Sequence, residues 1–506
     1  MTKKMGRVLA ALGVCALMGA SPLVTPAAQA GTVTETHPSI TELGRLSQHG
    51  RWYADGEGRA FLTAGVNMVY KHAPYTPEAG GFNEDDADWL AAQGFDSVRL
   101  GLLWKAVEPE PGVYDEAYIE SLRHTVRILA DRGIVTLLDA HQDMYNERFQ
   151  GEFAPDWAVI DDGVPSLLQV GFPTNQVLNV GLLRAYDNFL ADREGPGGVG
   201  LQERYAAMWG HVAEAFRDEP GIMGFDILNE PWPGSAFPIC YLSGGHCGPA
   251  LDHLNALHQK VSAAVTTAYP EAIIHYEPYS MWNQGFNTRP AAPAATNTAL
   301  SWHVYCTSNA LFNSYIGCQI PDGQTFANAE AVAQDQHSAT LLSEFGATDD
   351  RATLEGVTGL ARQHMVGWQY WSYCGCNDPT TQNQLQQGIV ADPQVPGPVT
   401  CDAVNQEKLS ILAAPHLRAA AGTPTETTWD SASRTYRASW TADRVDGTGT
   451  FAAGSVSELV VPTVNFPEGY RLTVEGGHVV RNEESGRVLV ASDGEGPVTV
   501  TVAPMA

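Results

Sequence analysis

Residues 222–233 read Ile-Met-Gly-Phe-Asp-Ile-Leu-Asn-Glu-Pro-Trp-Pro, an apolar, strand-like run that leads directly into the amide of Asn229 and the carboxylate of Glu230. A Glu at the end of a strand lies at the mouth of a parallel-sheet domain when strands and helices alternate along the chain. A similar stretch, Leu-Leu-Ser-Glu-Phe-Gly at residues 341–346, supplies a second such carboxylate, Glu344. The two stretches predict a domain with two acidic side chains at one end.

Working outward from these stretches, strands and helices alternate over most of the chain. Apolar runs predict strands at 61–69, 97–100, 134–140, 222–228, 272–276, 299–303, 341–346 and 366–373. Between them, apolar spacing such as that of Ile119, Leu122, Val126 and Leu129 predicts helices. About sixty residues before the helix at 201–216 are predicted as one long loop. The pattern favours an α/β fold, a (β/α)8 TIM barrel at residues 31–418, and no GxGxxG or P-loop motif supports a nucleotide-binding alternative.

The last ninety residues have a different pattern. Residues 419–424 resemble a linker, and short alternating strands are predicted at 435–441, 458–461, 470–475, 487–491 and 498–502. This spacing indicates a C-terminal antiparallel β-sandwich domain at residues 419–506. We expect it to pack against the barrel rather than to bind sugar by itself.

The N-terminus has the features of a secretory signal peptide. Lys3, Lys4 and Arg7 precede an apolar run at residues 8–20, and Ala28-Gln29-Ala30 fits a cleavage site, so residues 1–30 are predicted to be removed and the protein secreted. Cys15 follows a poor lipoprotein motif, so lipid anchoring is not expected. The net charge of −28 argues against binding to nucleic acid or to anionic membranes.

Seven of the eight cysteines lie beyond residue 30, and export favours disulfides. The short loops between Cys240 and Cys247 and between Cys306 and Cys318 predict two local pairs. Cys401 is expected to pair with Cys374 or Cys376. Those two are not expected to pair with each other, because a one-residue spacer makes the required geometry hard to reach.

Polar side chains converge at the predicted C-terminal ends of the barrel strands, where barrel active sites lie. Besides Asn229, Glu230 and Glu344, they are Asn67, Lys71, Arg99, Asp139, His141, Asp143, His303, Tyr305 and Trp371. Taken singly, each has an ordinary structural interpretation, such as an ion-pair partner or a satisfied core histidine. Asp139, His141 and Asp143 are candidate metal ligands. A zinc site requires three well-spaced donors whose orientation is fixed by further hydrogen bonds, so no metal is expected. Paired glutamates with an Arg and a Trp platform suit glycoside hydrolysis better.

At these residues the chain resembles glycoside hydrolase family 5. The resemblance rests on Val98-Arg99-Leu100-Gly101, on Leu228-Asn229-Glu230-Pro231, on His303-Val304-Tyr305, on Ser343-Glu344-Phe345-Gly346 and on Trp371-Ser372. Within this family, the chain resembles the endoglycoceramidases. This narrower resemblance rests on Asn67 with Lys71, on Asp139-Ala140-His141-Gln142-Asp143, and on the sandwich that begins at residues 421–425. Departures are Ala140, where relatives often have Met, and the cysteine-bearing segment 374–401.

The resemblance implies a retaining mechanism, with Glu230 as acid/base and Glu344 as nucleophile. Asn229 would contact the sugar 2-hydroxyl, and Arg99 and Tyr305 would orient Glu344. The implied sugar-binding side chains next to the scissile bond are Lys71, His141, Asp143 and Trp371. The implied substrate is a glycosphingolipid, and no cofactor is expected.

Two other functions remain open at this stage: a family 5 endo-β-glucanase and a non-catalytic barrel that binds carbohydrate or lipid. The lipid substrate requires an apolar surface beside the polar site. Apolar residues in the predicted loops after strands three and four are candidates for it: Trp157, Leu167, Leu168, Phe172, Phe237, Ile239, Tyr241 and Leu242. Such a surface predicts transient contact with a membrane or micelle, without stable insertion. The alternative is that these side chains bury one another.

Overall fold

The computed structural model of the protein describes residues 40, 43–381, 384–391, 397–483 and 485–505. The predicted signal peptide at residues 1–30, with Cys15, lies outside this part of the chain. Within the described residues, no helix has both the length and the apolar character that crossing a membrane requires.

Eight parallel strands close into a barrel. They are Ala64–Met68, Ser97–Leu102, Val135–Ala140, Ile222–Asp226, Ile273–Tyr276, Asn297–Val304, Ala339–Phe345 and Gly367–Tyr370. Every residue of the second and third strands is buried, because a closed parallel sheet is covered on both faces. The predicted (β/α)8 barrel is confirmed, and the catalytic candidates lie at the C-terminal ends of its strands.

Helices cover the outside of the barrel. The longer ones are Glu84–Ala92, Glu116–Ala130, Val180–Leu190, Leu201–Phe216, Pro249–Ala268, Gln319–Gln336 and Arg351–His364. Shorter ones are Trp104–Val107, Asn175–Leu178, Phe237–Leu242, Thr307–Phe312, Gln384–Gln387 and Gln406–Leu412. The prediction of a loop without a helix before Leu201 was wrong. Asn179 caps Val180–Leu190 by accepting a hydrogen bond from the N–H of Leu182, and the helix buries Leu182 and Phe189.

Two antiparallel sheets form the predicted C-terminal sandwich. One orders the strands Thr423–Asp430, Thr435–Thr441, Val498–Pro504 and Tyr470–Glu475. The other orders Ser47–His49, Trp52–Ala54, Ala60–Phe61, His416–Ala420, Val456–Val460, Arg487–Ser492 and Gly477–Asn482. The first three of these strands precede the barrel in sequence, which the local pattern did not predict. Tyr436, Trp440 and Val490 lie in the core between the sheets.

The division of the chain into a barrel domain and a sandwich domain between residues 418 and 419 stays a prediction. The strand His416–Ala420 runs across that predicted boundary. Ala419 pairs with Phe61, which precedes the barrel strands in sequence, and with Glu458, which follows them. The buried guanidinium of Arg418 donates to the carbonyl of Gly133 on the barrel and to the carboxylate of Glu458 at 2.9 Å. The hydrogen bond from Arg418 to Gly133 therefore ties the sandwich to the barrel, while the ion pair with Glu458 joins two strands of the sandwich.

The disulfides Cys240–Cys247 and Cys306–Cys318 are present as predicted. The third prediction was wrong, because Cys374 pairs with Cys376 and neither is therefore bonded to Cys401. Cys376 adopts a left-handed backbone conformation, with φ of 47°, and the Cα atoms of the pair lie 5.3 Å apart. This separation is within the range that a disulfide requires.

Candidate active site

A cavity of about 550 Å³ opens at the C-terminal ends of the barrel strands. Its lining includes seven of the predicted site residues: Lys71, His141, Asp143, Glu230, Tyr305, Glu344 and Trp371. The other five predicted residues, Asn67, Arg99, Asp139, Asn229 and His303, lie buried behind this wall. The barrel thus brings together residues that are up to 304 positions apart in the sequence.

Glu230 is held from several sides. Its backbone is left-handed, with φ of 40°, its N–H donates to Glu277 at 2.8 Å, and its carbonyl accepts from Gln142 Nε2 at 2.8 Å. The side-chain oxygen Oε1 accepts from Asn283 Nδ2 at 2.5 Å and lies 2.8 Å from His303 Nδ1. A strained backbone fixed in this way is typical of functional positions.

Glu344 lies next to a β-bulge. The pairing between the sixth and seventh strands shifts between Leu342 and Glu344, so that Glu344 is opposite His303. Its Oε1 accepts from the Tyr305 hydroxyl at 2.7 Å, and its Oε2 accepts from Arg99 Nη1 at 3.1 Å. Burial raises the pKa of Glu344 above its ordinary value, and Glu230 adds to the rise, whereas His303 and Arg99 oppose it.

An oxygen of Glu230 and an oxygen of Glu344 lie within 4.8 Å of each other. Retaining glycosidases place their two carboxyl groups about 5 to 5.5 Å apart, whereas inverting enzymes leave about 6.5 to 9.5 Å for a water molecule. The short separation fits direct attack by one carboxylate on the sugar while the other transfers a proton.

Arg99 is the buried centre behind the two glutamates. Besides Glu344 it donates to acceptors on four neighbouring strand ends: Asn67, Asp139, Asp226, Asn229 and Glu277, at 2.9 to 3.2 Å. Burial disfavours a charged guanidinium, but these carboxylates outweigh it and raise the pKa of Arg99. The side chain of Asn229 makes two hydrogen bonds: Oδ1 accepts from Arg99, and one hydrogen of Nδ2 is donated to the Gln142 carbonyl at 3.0 Å.

A second buried cluster surrounds Lys71. Its Nζ donates to Asp143 Oδ2 at 2.6 Å and to Thr380 Oγ1 at 2.7 Å, and lies 4.7 Å from the centre of the Trp371 ring. His141 stacks on that ring with centroids 5.0 Å apart. Burial opposes the ionised form of Asp143, but Lys71 and His141 hold the pKa of Asp143 well below its ordinary value. The cluster offers an ammonium, an imidazole, a carboxylate and a flat ring at one end of the cavity.

Two groups of side chains have metal-ligand spacing: His141 with Asp143 and Glu152, and His303 with Glu230 and Glu344. In the first group the Lys71 ammonium, 2.6 Å from Asp143 and 3.5 Å from Glu152, already occupies the position of a cation. In the second, His303 lies between the two glutamates that would carry out proton transfer and attack. The first group therefore suits the ammonium of Lys71 better than a metal ion. The second suits proton transfer and nucleophilic attack by its two glutamates.

Sequence reasoning missed several buried side chains. Glu277 and Asp226 bind Arg99, and Glu152, Asp378 and Thr380 surround Lys71. A signal existed for Glu277, since Tyr276-Glu277-Pro278 repeats the strand-Glu-Pro pattern of Glu230. No comparable signal existed for Asp378 and Thr380, which follow the eighth strand in an irregular segment.

The cavity continues from the polar cluster to an apolar wall made by the long loops. Phe172, Val177, Leu178, Phe237 and Tyr241 line it. Leu167, Leu168, Ile239 and Leu242 are exposed, so the alternative that the loop side chains bury one another does not hold for these four. Trp157 is an exception, because it packs edge-on against the buried Trp104 with ring centres 5.3 Å apart.

The sequence model described as Cellulase (glycosyl hydrolase family 5) matches residues 54–377, which include all twelve predicted site residues. The chain belongs to glycoside hydrolase family 5. A second model, Glycoside hydrolase family 5 C-terminal domain, matches residues 415–502 of this family 5 hydrolase, the sandwich region.

This family 5 hydrolase is 30% identical over 482 residues to Endoglycoceramidase I of Rhodococcus hoagii (strain 103S), covering 91% of this chain and 89% of that protein. An endoglycoceramidase of Hydra vulgaris is 28% identical over 360 residues, covering 64% of this chain and 65% of that protein. The solved structure of endo-glycoceramidase II from Rhodococcus sp. superposes with a TM-score of 0.72 at 27% identity, covering 92% of this chain and 100% of the other.

Proposed function

We propose that this family 5 hydrolase is an endoglycoceramidase, a retaining endo-β-glycosidase that hydrolyses the linkage between oligosaccharide and ceramide in glycosphingolipids. The observation that carries the proposal is a single cavity that joins a close carboxylate pair to an apolar wall. The relatives described as endoglycoceramidases support it, among them an endo-glycoceramidase II structure described as a lactosyl-enzyme intermediate and another described as a ganglioside GM3 complex.

In the first step Glu344 attacks the anomeric carbon and Glu230 protonates the oxygen that leaves with the ceramide. The bond from the sugar to that oxygen breaks as the bond to Glu344 forms, which gives a glycosyl-enzyme and free ceramide. Tyr305 and Arg99 support this role, because their hydrogen bonds to Glu344 hold the attacking carboxylate in one orientation.

In the second step Glu230, now ionised, takes a proton from water, and the oxygen of that water attacks the anomeric carbon. The bond to Glu344 breaks and the oligosaccharide leaves with retained configuration. The contacts of Oε1 with His303 and Asn283 support the second role of Glu230, because they hold its carboxylate in one orientation.

We assign the sugar next to the scissile bond to the end of the cavity formed by Lys71, His141, Asp143 and Trp371. An ammonium and a carboxylate bind sugar hydroxyls, and a flat indole binds the apolar face of a pyranose ring. Asn229 remains our candidate for the 2-hydroxyl, through the amide hydrogen that Gln142 leaves free.

We assign the ceramide to the apolar wall of Phe172, Val177, Leu178, Phe237 and Tyr241. The exposed aliphatic side chains beyond this wall would touch the lipid aggregate that holds the substrate, transiently and without a membrane span. We also propose secretion after cleavage near Ala30, because a basic N-terminus precedes an apolar segment of signal-peptide length.

The decisive experiment incubates the purified protein with a glycosphingolipid in detergent micelles and analyses both products by mass spectrometry. The proposal expects intact oligosaccharide and ceramide in equal amounts. A parallel reaction contains a soluble β-glucan. Rapid depolymerisation of the glucan with an intact glycosphingolipid would instead identify an endo-β-glucanase that uses the same two glutamates, and no turnover of either would refute both.

A further inference from the structure

Glu277 is a third glutamate at the centre of the site. It directly follows the fifth barrel strand, is only 2% exposed, and does not line the cavity. Its Oε2 accepts the backbone N–H of Glu230 at 2.8 Å. Its Oε1 accepts from Arg99 Nη2 at 3.0 Å and lies 3.3 Å from His303 Nε2. Glu277 therefore acts on Glu230 by one route through the backbone and by a second route through His303.

The second route runs through the imidazole ring. Nε2 of His303 lies 3.3 Å from Glu277 Oε1, and the opposite nitrogen, Nδ1, lies 2.8 Å from Glu230 Oε1. Asn283 also occupies Oε1, and among the described residues none donates to Oε2. Oε2 is consequently the oxygen of Glu230 that remains for the leaving group.

We infer that Glu277 is a positioning residue that keeps His303 and Glu230 in the tautomer and protonation state that the first step requires. A ring protonated on both nitrogens faces Glu277, 3.3 Å away, with its Nε2–H and donates its Nδ1–H to Glu230 Oε1. With Oε1 accepting from His303 and Asn283, the proton that Glu230 delivers is held on Oε2 and passes from there to the leaving oxygen. The inference depends on the proposed acid/base role of Glu230 and not on the identity of the lipid.

Several charged or titratable groups face Glu277 and His303. They are Arg99, Asp226, Glu230, Tyr305 and Glu344, together with the buried imidazoles of His258 and His275. Burial lowers the pKa of His258 and of His275 to about 3, so both are neutral. Burial also opposes protonation of His303, but Glu277 and Glu344 outweigh it and raise the pKa of His303 well above its ordinary value. Neutralising Glu277 removes one of the carboxylates that favour protonated His303, so the ring should lose its second proton, and with it the hydrogen bond to Glu230 Oε1, at lower pH.

The test uses Glu277→Gln and two aryl β-lactosides, one with a poor leaving group and one with a 2,4-dinitrophenyl leaving group. For the poor leaving group, kcat/KM should fall on the order of 10- to 100-fold, less than the 10²- to 10⁴-fold contribution of a complete general acid. The activated substrate needs no proton and should be nearly unaffected. The alkaline limb of the kcat/KM profile for the poor leaving group should move to lower pH.

Glu108→Gln is a matched control. Glu108 is also buried, and its carboxylate accepts from the Trp104 ring N–H at 2.8 Å and from the backbone N–H of Gly112 at 2.7 Å, without contact to Glu230 or His303. It should leave the ratio of the two kcat/KM values and the alkaline limb as in wild type. Equal losses on both substrates in Glu277→Gln, with an unmoved alkaline limb, would reduce Glu277 to a structural role and overturn the inference.

A measurement on the unmodified protein covers the case in which Glu277→Gln does not fold. In ¹⁵N-histidine spectra of the full chain at pH 7, His303 should be protonated at Nε2, and a bare Nε2 would overturn the inference. The design also separates the two proposals. If wild type cleaves the aryl lactosides but no glycosphingolipid, the lipid substrate is wrong while the Glu277 test still stands.

Discussion

The proposed contact of a lipid aggregate with the exposed side chains Leu167 and Ile239 predicts a change in apparent KM whose size can be calculated. Leu167 lies in an irregular segment and Ile239 in the helix Phe237–Leu242. They are 82% and 67% exposed, so little packing is lost when either is changed. Leu167→Asp and Ile239→Asp should therefore fold normally, and any effect on lipid turnover should come from contact with the lipid.

Complete burial of a Leu or Ile side chain is worth about 1.5 to 3 kcal/mol. With most of each side chain exposed in the free protein, immersion in a micelle would contribute about 1 to 2.5 kcal/mol per residue. Because 1.4 kcal/mol corresponds to a factor of ten, the apparent KM for glycosphingolipid should rise about 10-fold in each variant. The double variant should show a roughly multiplicative effect, since the two residues belong to separate segments of the chain.

The assay compares apparent KM on glycosphingolipid in detergent micelles with kcat/KM on a soluble aryl β-lactoside. The control is Val480→Asp, which places the same charge at a 54% exposed aliphatic position on a strand of the sandwich. An increase in KM confined to the lipid substrate and to the Leu167 and Ile239 variants supports docking through these two side chains. Equal effects in these variants and in the control, or an equal loss on the aryl lactoside, would refute it.

Three further predictions concern the polar site. Glu230→Ala should lower kcat on a substrate with a poor leaving group by about 10²- to 10⁴-fold, and much less on an activated aryl glycoside, as steady-state kinetics would reveal. Glu344→Ser should accumulate no glycosyl-enzyme, and a sugar adduct on any other residue in peptide mass maps of wild type would contradict the assignment. Burial and Lys71 oppose protonation of His141, but Asp139 and Asp143 raise the pKa of His141 to about 9. Protonated His141 therefore stabilises the folded state fully below about pH 6.5, and this contribution is lost as pH rises through 9. The difference in Tm between wild type and His141→Gln should shrink between these two pH values. A constant difference would contradict the prediction.

The barrel and the position of the two glutamates could be predicted because both depend on local patterns. Buried runs such as residues 134–140 identify parallel strands, and the apolar spacing of residues 119–129 identifies a helix. A polar residue directly after such a strand must lie at the C-terminal rim, whatever its partners are. For the same reason Glu277 was within reach of sequence reasoning, because it follows a strand and precedes a proline as Glu230 does.

Only the tertiary structure decided what each of these side chains does. Arg99 and Glu344 are 245 positions apart and yet share a hydrogen bond, and Glu277 faces the interior while Glu344 faces the cavity. The pairing of Cys374 with Cys376, the packing of Trp157 against Trp104 and the exposure of Leu167 likewise depend on loop conformation. Local periodicity fixes where a residue lies along a strand or helix. Hydrogen-bond partners, protonation and solvent exposure are set by groups that are distant in sequence and meet only when the barrel closes.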